Sequence, residues 1–134
     1  MTTVGPSAPG TMADASGVGT LTWSSTTNAA SSNNTYALIE ISAGALETSH
    51  YLKCTNFGFS IPSGNTINGV TVAIESHAEL SAAGNTYIRD STISLVKGGT
   101  VSGNNKATVG TNWPTADASA SYGGAADLWG LTLA

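Results

Sequence analysis

Residues 50–76, HYLKCTNFGFSIPSGNTINGVTVAIES, constrain this chain more than any other stretch. Apolar and β-branched residues flank Pro62, Ser63, Gly64 and Asn65, a run with turn chemistry. Beyond it Val70, Val72 and Ile74 alternate with Thr71, Ala73 and Glu75, the period of a half-buried strand. The stretch therefore predicts two strands about a turn. Asn68-Gly69 elsewhere signals a hairpin, but here it follows the first turn too closely and is expected to form a bulge entering Val70.

The rest of the chain reads as approach and as further strands. Residues 1–17, with Gly5, Pro6, Pro9, Gly10 and Gly17, carry few apolar side chains and predict an extended N-terminal arm. That arm is either a frayed terminus or a segment lying along a neighbouring subunit. Residues 18–23 and 36–41 alternate as strands, with a polar loop over 24–34 between them. Residues 42–49 could hold a turn of helix around Ala45, Leu46 and Glu47. A loop is expected over 80–85, with Ala82, Ala83 and Gly84 at its tip, and a strand over 87–96, where Ile93 and Leu95 share a face. Lys97-Gly98-Gly99 ends that strand and opens a turn-rich run to Asn105. A short strand is expected over 106–109, a break at Trp113-Pro114, a turn at Tyr122-Gly123-Gly124 and an apolar run over 128–133. Nothing has sustained helical periodicity. The expected class is all-β, with an arm over 1–17 and a single sandwich domain over 18–134.

Composition bounds the function. The 134 residues suffice for one domain, and such a chain can bury roughly two-thirds of its unfolded surface without disulfides. Its one cysteine, Cys54, lies in a strand-like run and is expected to pack as a small hydrophobe. Four basic residues, Lys53, Arg89, Lys97 and Lys106, stand against eight carboxylates, for a net charge of −4. That balance disfavours a nucleic-acid backbone and an anionic membrane surface. The opening MTTVGPSAPG lacks the basic flank and apolar run of a secretory signal, so synthesis in the cytoplasm is expected.

The residues that could carry chemistry do not converge. His50 and His77 each lack a second ligand at zinc spacing, and His77 is expected on the solvated strand face with Thr71, Ala73 and Glu75. Asp14, Asp90, Asp117 and Asp127 are scattered, unlike a calcium loop. The run from Gly98 to Lys106 is unlike a phosphate cradle: no lysine follows a glycine directly, and no helix follows. No Gly-x-Ser-x-Gly elbow occurs, and Glu40, Glu75 and Glu79 form no distinctive carboxylate pair. No catalytic residue, metal or cofactor is expected. Trp23, Trp113, Tyr122 and Trp129 could line a sugar platform, but such rings more often plug a sandwich or anchor a subunit contact.

Three runs carry a family resemblance: YLKCTNFGFSIPSGNTINGVTVAIES at 51–76, SLVKGGTVSGNNKA at 94–107, and Trp113-Pro114-Thr115 with SYGGAADLWGLTL at 121–133. Over residues 18–133 the chain resembles virion proteins of tailed phages and prophages built on a jelly-roll-like antiparallel β-sandwich, capsid decoration (cement) proteins among them. The resemblance implies a structural protein without catalysis. It would be made in the host cytoplasm and carried on the capsid surface, where it binds the major capsid protein between coat subunits. A homotrimer is the implied assembly. A tail or baseplate component and a carbohydrate-binding adhesin are the alternatives. The family pattern continues past the DLWG segment through one or two more strands. A neighbouring subunit, or its 1–17 arm, is accordingly expected to fill the vacant edge. The interface residues expected on this view are Val4, Pro6, Pro9, Met12, Trp113, Tyr122, Leu128, Trp129, Leu131 and Leu133.

Overall fold

The computed structural model describes residues 1–42, 44–80 and 86–133. The fold is all-β: the described residues form short antiparallel strand pairs and a single 3-10 turn. The chain falls into two compact units, Met1–Ser63 and Gly64–Ala134.

In the first unit β1 (Thr11–Ala15) pairs antiparallel with β2 (Tyr51–Thr55), Met12 opposite Cys54 and Asp14 opposite Leu52. Within the extended arm expected over 1–17, Thr11–Ala15 is thus paired with a strand of its own chain rather than frayed or laid along a neighbouring subunit. Gly10 N–H donates to the carbonyls of Thr55 and Asn56, and Ser7 Oγ donates to the Phe57 carbonyl. These long-range backbone bonds hold the segment although it has little apolar surface of its own. Position 17 is also not a boundary between units. Residues 18–23 and 36–41 contribute only isolated bridges, Leu21 to Ser49 and Ser24 to Leu38. Between them lies the 3-10 turn Thr26–Ala30, whose Thr26 hydroxyl donates to the Met12 carbonyl at 3.2 Å. Ala45 N–H bonds to Ser42 in a turn, and no helix forms among the described residues of 42–49; Ala43 lies outside them.

In the second unit β3 (Thr71–Ser76) pairs antiparallel with β6 (Ala118–Gly123), and β4 (Leu95–Lys97) with β5 (Thr100–Ser102). The turn at Ser63 and Gly64 is present, yet β2 and β3 take other partners, so the strands around it form no hairpin with each other. β3 does alternate as expected, with Val72 and Ile74 half-buried and Thr71, Ala73 and Glu75 exposed. Gly98 and Gly99 join β4 to β5, both at positive φ (58° and 80°), the requirement of a type I′ hairpin. The expected strand over 87–96 shrinks to β4 and a bridge from Arg89 to Asn112; 106–109 and 128–133 form no strand. The expected turn at 122–124 is instead the end of β6, and the chain turns over 124–127, where Asp127 N–H bonds to Gly124 at 3.1 Å. Gly69 precedes β3, where an added Cβ would strike the Gly124 and Ala125 backbone; close approach, not a bulge, is its role. Of the loop expected over 80–85, residues 81–85 lie outside those described.

Very little of this chain is buried. Among the described residues the buried apolar side chains are Ala78, Tyr122 and Trp129, all in the second unit, and Trp129 alone is fully covered. In Met1–Ser63 no described residue is fully buried.

Candidate functional site

Asp90 is the most constrained polar side chain. It is 8% exposed and accepts four hydrogen bonds: from Tyr122 Oη (2.7 Å), Trp113 Nε1 (2.8 Å), Thr108 Oγ1 (3.0 Å) and Thr108 N–H (3.2 Å). Strand β6 supplies Tyr122, and the chain break at Trp113-Pro114 turns the indole inward; Trp113 N–H is in turn held by the Ile88 carbonyl. Burial pushes the Asp90 carboxyl up, but the donors from Tyr122, Trp113 and Thr108 outweigh it and hold the group below its ordinary value. Burial and the neighbouring carboxylate push Tyr122 up to about 12. A recess of about 100 Å3 adjoins this node, lined by Ser76, Thr111 and Asn112 together with the apolar surfaces of Trp113, Pro114 and Ala120. A carboxylate so saturated with donors, and ionised at neutral pH, is a pin between chain segments; a general acid needs a raised pKa.

Other polar groups are engaged in the same way. Asp14 accepts from Trp23 N–H and meets His50 Nδ1, each at 2.8 Å, while Trp23 Nε1 donates to the His50 carbonyl at 2.9 Å. The Trp23 backbone bond and His50 hold the Asp14 carboxyl below its ordinary value. His77, expected on a solvated face, has a side chain only 17% exposed; Nδ1 lies 2.6 Å from Asp117 and Nε2 lies 3.5 Å from Glu79. Lys106 pairs with Asp127 at 2.7 Å, Lys97 donates to the Thr132 carbonyl, and Arg89 lies over the Tyr87 ring while bonding Asn112. Three of the basic side chains are therefore engaged within the chain rather than arrayed as a patch. No group of three or more metal-ligating side chains occurs among the described residues. Cys54 is half-buried in β2, and burial pushes its thiol up.

The residues expected at an interface divide. Trp129 is fully buried and Tyr122 nearly so, which corrects their assignment: they form the core of the second unit and present nothing to a partner. Trp129 Nε1 donates to the Val70 carbonyl, its N–H to Asp127 Oδ1, and its carbonyl accepts from Asn104 N–H. The DLWG run is thus a core lock, with Trp129 and Gly130 both at positive φ (57° and 71°). Met12, Pro9, Trp113, Leu128, Leu131 and Leu133 are half-buried, and Val4 and Pro6 are exposed. None of Trp23, Trp113, Tyr122 and Trp129 is exposed, so these rings form no open platform for sugar stacking. The Asp90 node escaped sequence reading because its donors lie far apart in the chain and share no motif spacing.

No family model, curated protein or solved structure matches this chain.

Proposed function

We propose that this chain is a structural subunit of a virus particle, specifically a capsid decoration protein. It lies on the shell where subunits of the major capsid protein meet, and stabilises their seams. The observation that carries this reading is surface. A folded chain of this mass exposes roughly 6,500 Å2, and two separate units of half the mass together expose roughly 7,800 Å2. This chain exposes 8769 Å2. Met1, Val4, Leu38, Leu46, Phe59 and Ile61 of the first unit are among the exposed large apolar side chains, and that unit encloses no described side chain fully. A polypeptide this uncovered acquires its core from another. The resemblance of residues 51–76, 94–107 and 121–133 to tailed-phage virion proteins supplies the setting. On this reading the small ladders belong to a jelly-roll-like sandwich, with polar groups spent on internal pins and none on catalysis.

The test is electron microscopy and heating of purified particles with and without this protein. The reading predicts added density over coat-subunit junctions and shells that rupture at lower temperature without it. Density confined to a tail tip, or equal robustness of both shells, overturns it.

A further inference from the structure

An outer strand edge is a row of open N–H and C=O groups, and folded proteins guard such edges with charge, proline, bulges, short length or a covering segment. β1 is covered by the Thr26–Ala30 turn, whose Thr26 hydroxyl bonds the Met12 carbonyl. β2 carries Lys53 at its centre and β3 carries Glu75. β4 and β5 are three residues long, with Lys97 ending β4. Among the described residues β6, Ala-Ser-Ala-Ser-Tyr-Gly, has none of these devices. It is six residues long, without charge or proline, and Ala118, Ser119, Ala120 and Ser121 are all exposed.

We propose that a second copy of this chain pairs on the free edge of β6, strand β6 against strand β6, antiparallel across a two-fold axis. The ladder parity shows which groups are offered. Gly124 N–H donates to the Val70 carbonyl, so Tyr122 and Ala120 turn their backbone groups toward β3, while Ser119 and Ser121 turn theirs outward. No described residue bonds those outward groups. With the axis at Ala120, Ser119 faces Ser121 of the partner subunit, and the outward donors and acceptors match in kind and direction. No like charges oppose each other in this pairing, although the whole chain carries −4. Side chains no larger than a hydroxyl let the second backbone approach.

This contact is two-fold, so it departs from the trimer that the resemblance implies, and it holds whether or not the protein sits on a capsid. Sedimentation of the full chain tests it. The wild type is expected at twice its 13.4 kDa mass. Ser119→Lys with Ser121→Lys, and separately Ser119→Glu with Ser121→Glu, place like charges directly across the seam and are expected to halve that mass. An equal mixture of the two variants restores the dimer, which shows that both remain folded. A monomeric or trimeric wild type, a dimer indifferent to both pairs of charges, or a mixture that stays monomeric overturns the proposal. Shell binding is a separate readout, so this contact and the decoration role fail independently.

Discussion

Tyr122 and Asp90 set the most tractable residue-scale behaviour of the molecule. The tyrosine's folded pKa, about 12, is raised above its ordinary value of 10.0. Its contribution to stability is fully present below pH 10.0 and is lost as pH climbs from there toward 12, because only the unfolded chain releases the proton in that interval. Tyr122→Phe should abolish this alkaline loss in pH-dependent denaturant melts. It should also cost roughly 1–3 kcal/mol at neutral pH, since a buried carboxylate loses a donor. Carboxylates act in the opposite direction. Asp14, Asp90 and Asp127 are all held below 3.8, so their stabilisation is present above that value and is lost as pH falls through their lowered folded values. Acid melts should therefore show the decline beginning below pH 4, and a midpoint flat down to pH 2 would contradict these three assignments. At the core, Trp129→Ala removes a fully buried ring and should cost roughly 3–5 kcal/mol.

Strands and turns test differently, through glycine. Gly99 and Gly123 both have positive φ (80° and 76°), but their surroundings differ. A Cβ at Gly99 meets nothing, so Gly99→Ala should cost only the left-handed backbone penalty, roughly 1–2 kcal/mol. A Cβ at Gly123 would strike the Val70 carbonyl and the Trp129 indole, neither of which can yield without breaking the Trp129 lock. Gly123→Ala should be clearly the more destabilising in paired denaturant titrations; equal midpoints would contradict the packing described. Legibility follows a similar division. β3 was readable because Val72 and Ile74 alternate with polar neighbours, and the turn at Ser63 and Gly64 because its residues are turn formers. β5 has too little apolar alternation to read as a strand, and its signal lies instead in Gly98-Gly99 between Lys97 and Thr100, a hairpin dipeptide. β6 is silent to hydropathy because alanine and serine scarcely alternate, and β1 has only Met12 as a large apolar residue. Both strands are specified by distant partners, and a single sequence does not show pairing across such separations. Of the candidate site, Trp113 and Tyr122 were singled out for their rings; their shared acceptor, Asp90, was not, since only folding brings it to them.

The whole molecule is unbalanced: its described residues form ordered ladders and well-satisfied polar pins, with almost no enclosed apolar core. Backbone pairs alone are marginal in water without a hydrophobic face to bury. The imbalance is unequal between the units, because Ala78, Tyr122 and Trp129 all belong to Gly64–Ala134 and no described residue of Met1–Ser63 is fully buried. Local stability should follow the same inequality. Amide hydrogen exchange on the full chain, first dilute and alone and then in the proposed particle, measures this directly. Isolated and dilute, the β3 and β6 ladder amides should be protected while those of β1 and β2 exchange almost freely, and assembly should slow the β1 and β2 amides strongly. Equal protection of all four strands in the dilute chain, unchanged on assembly, would contradict the claim that another polypeptide completes this fold.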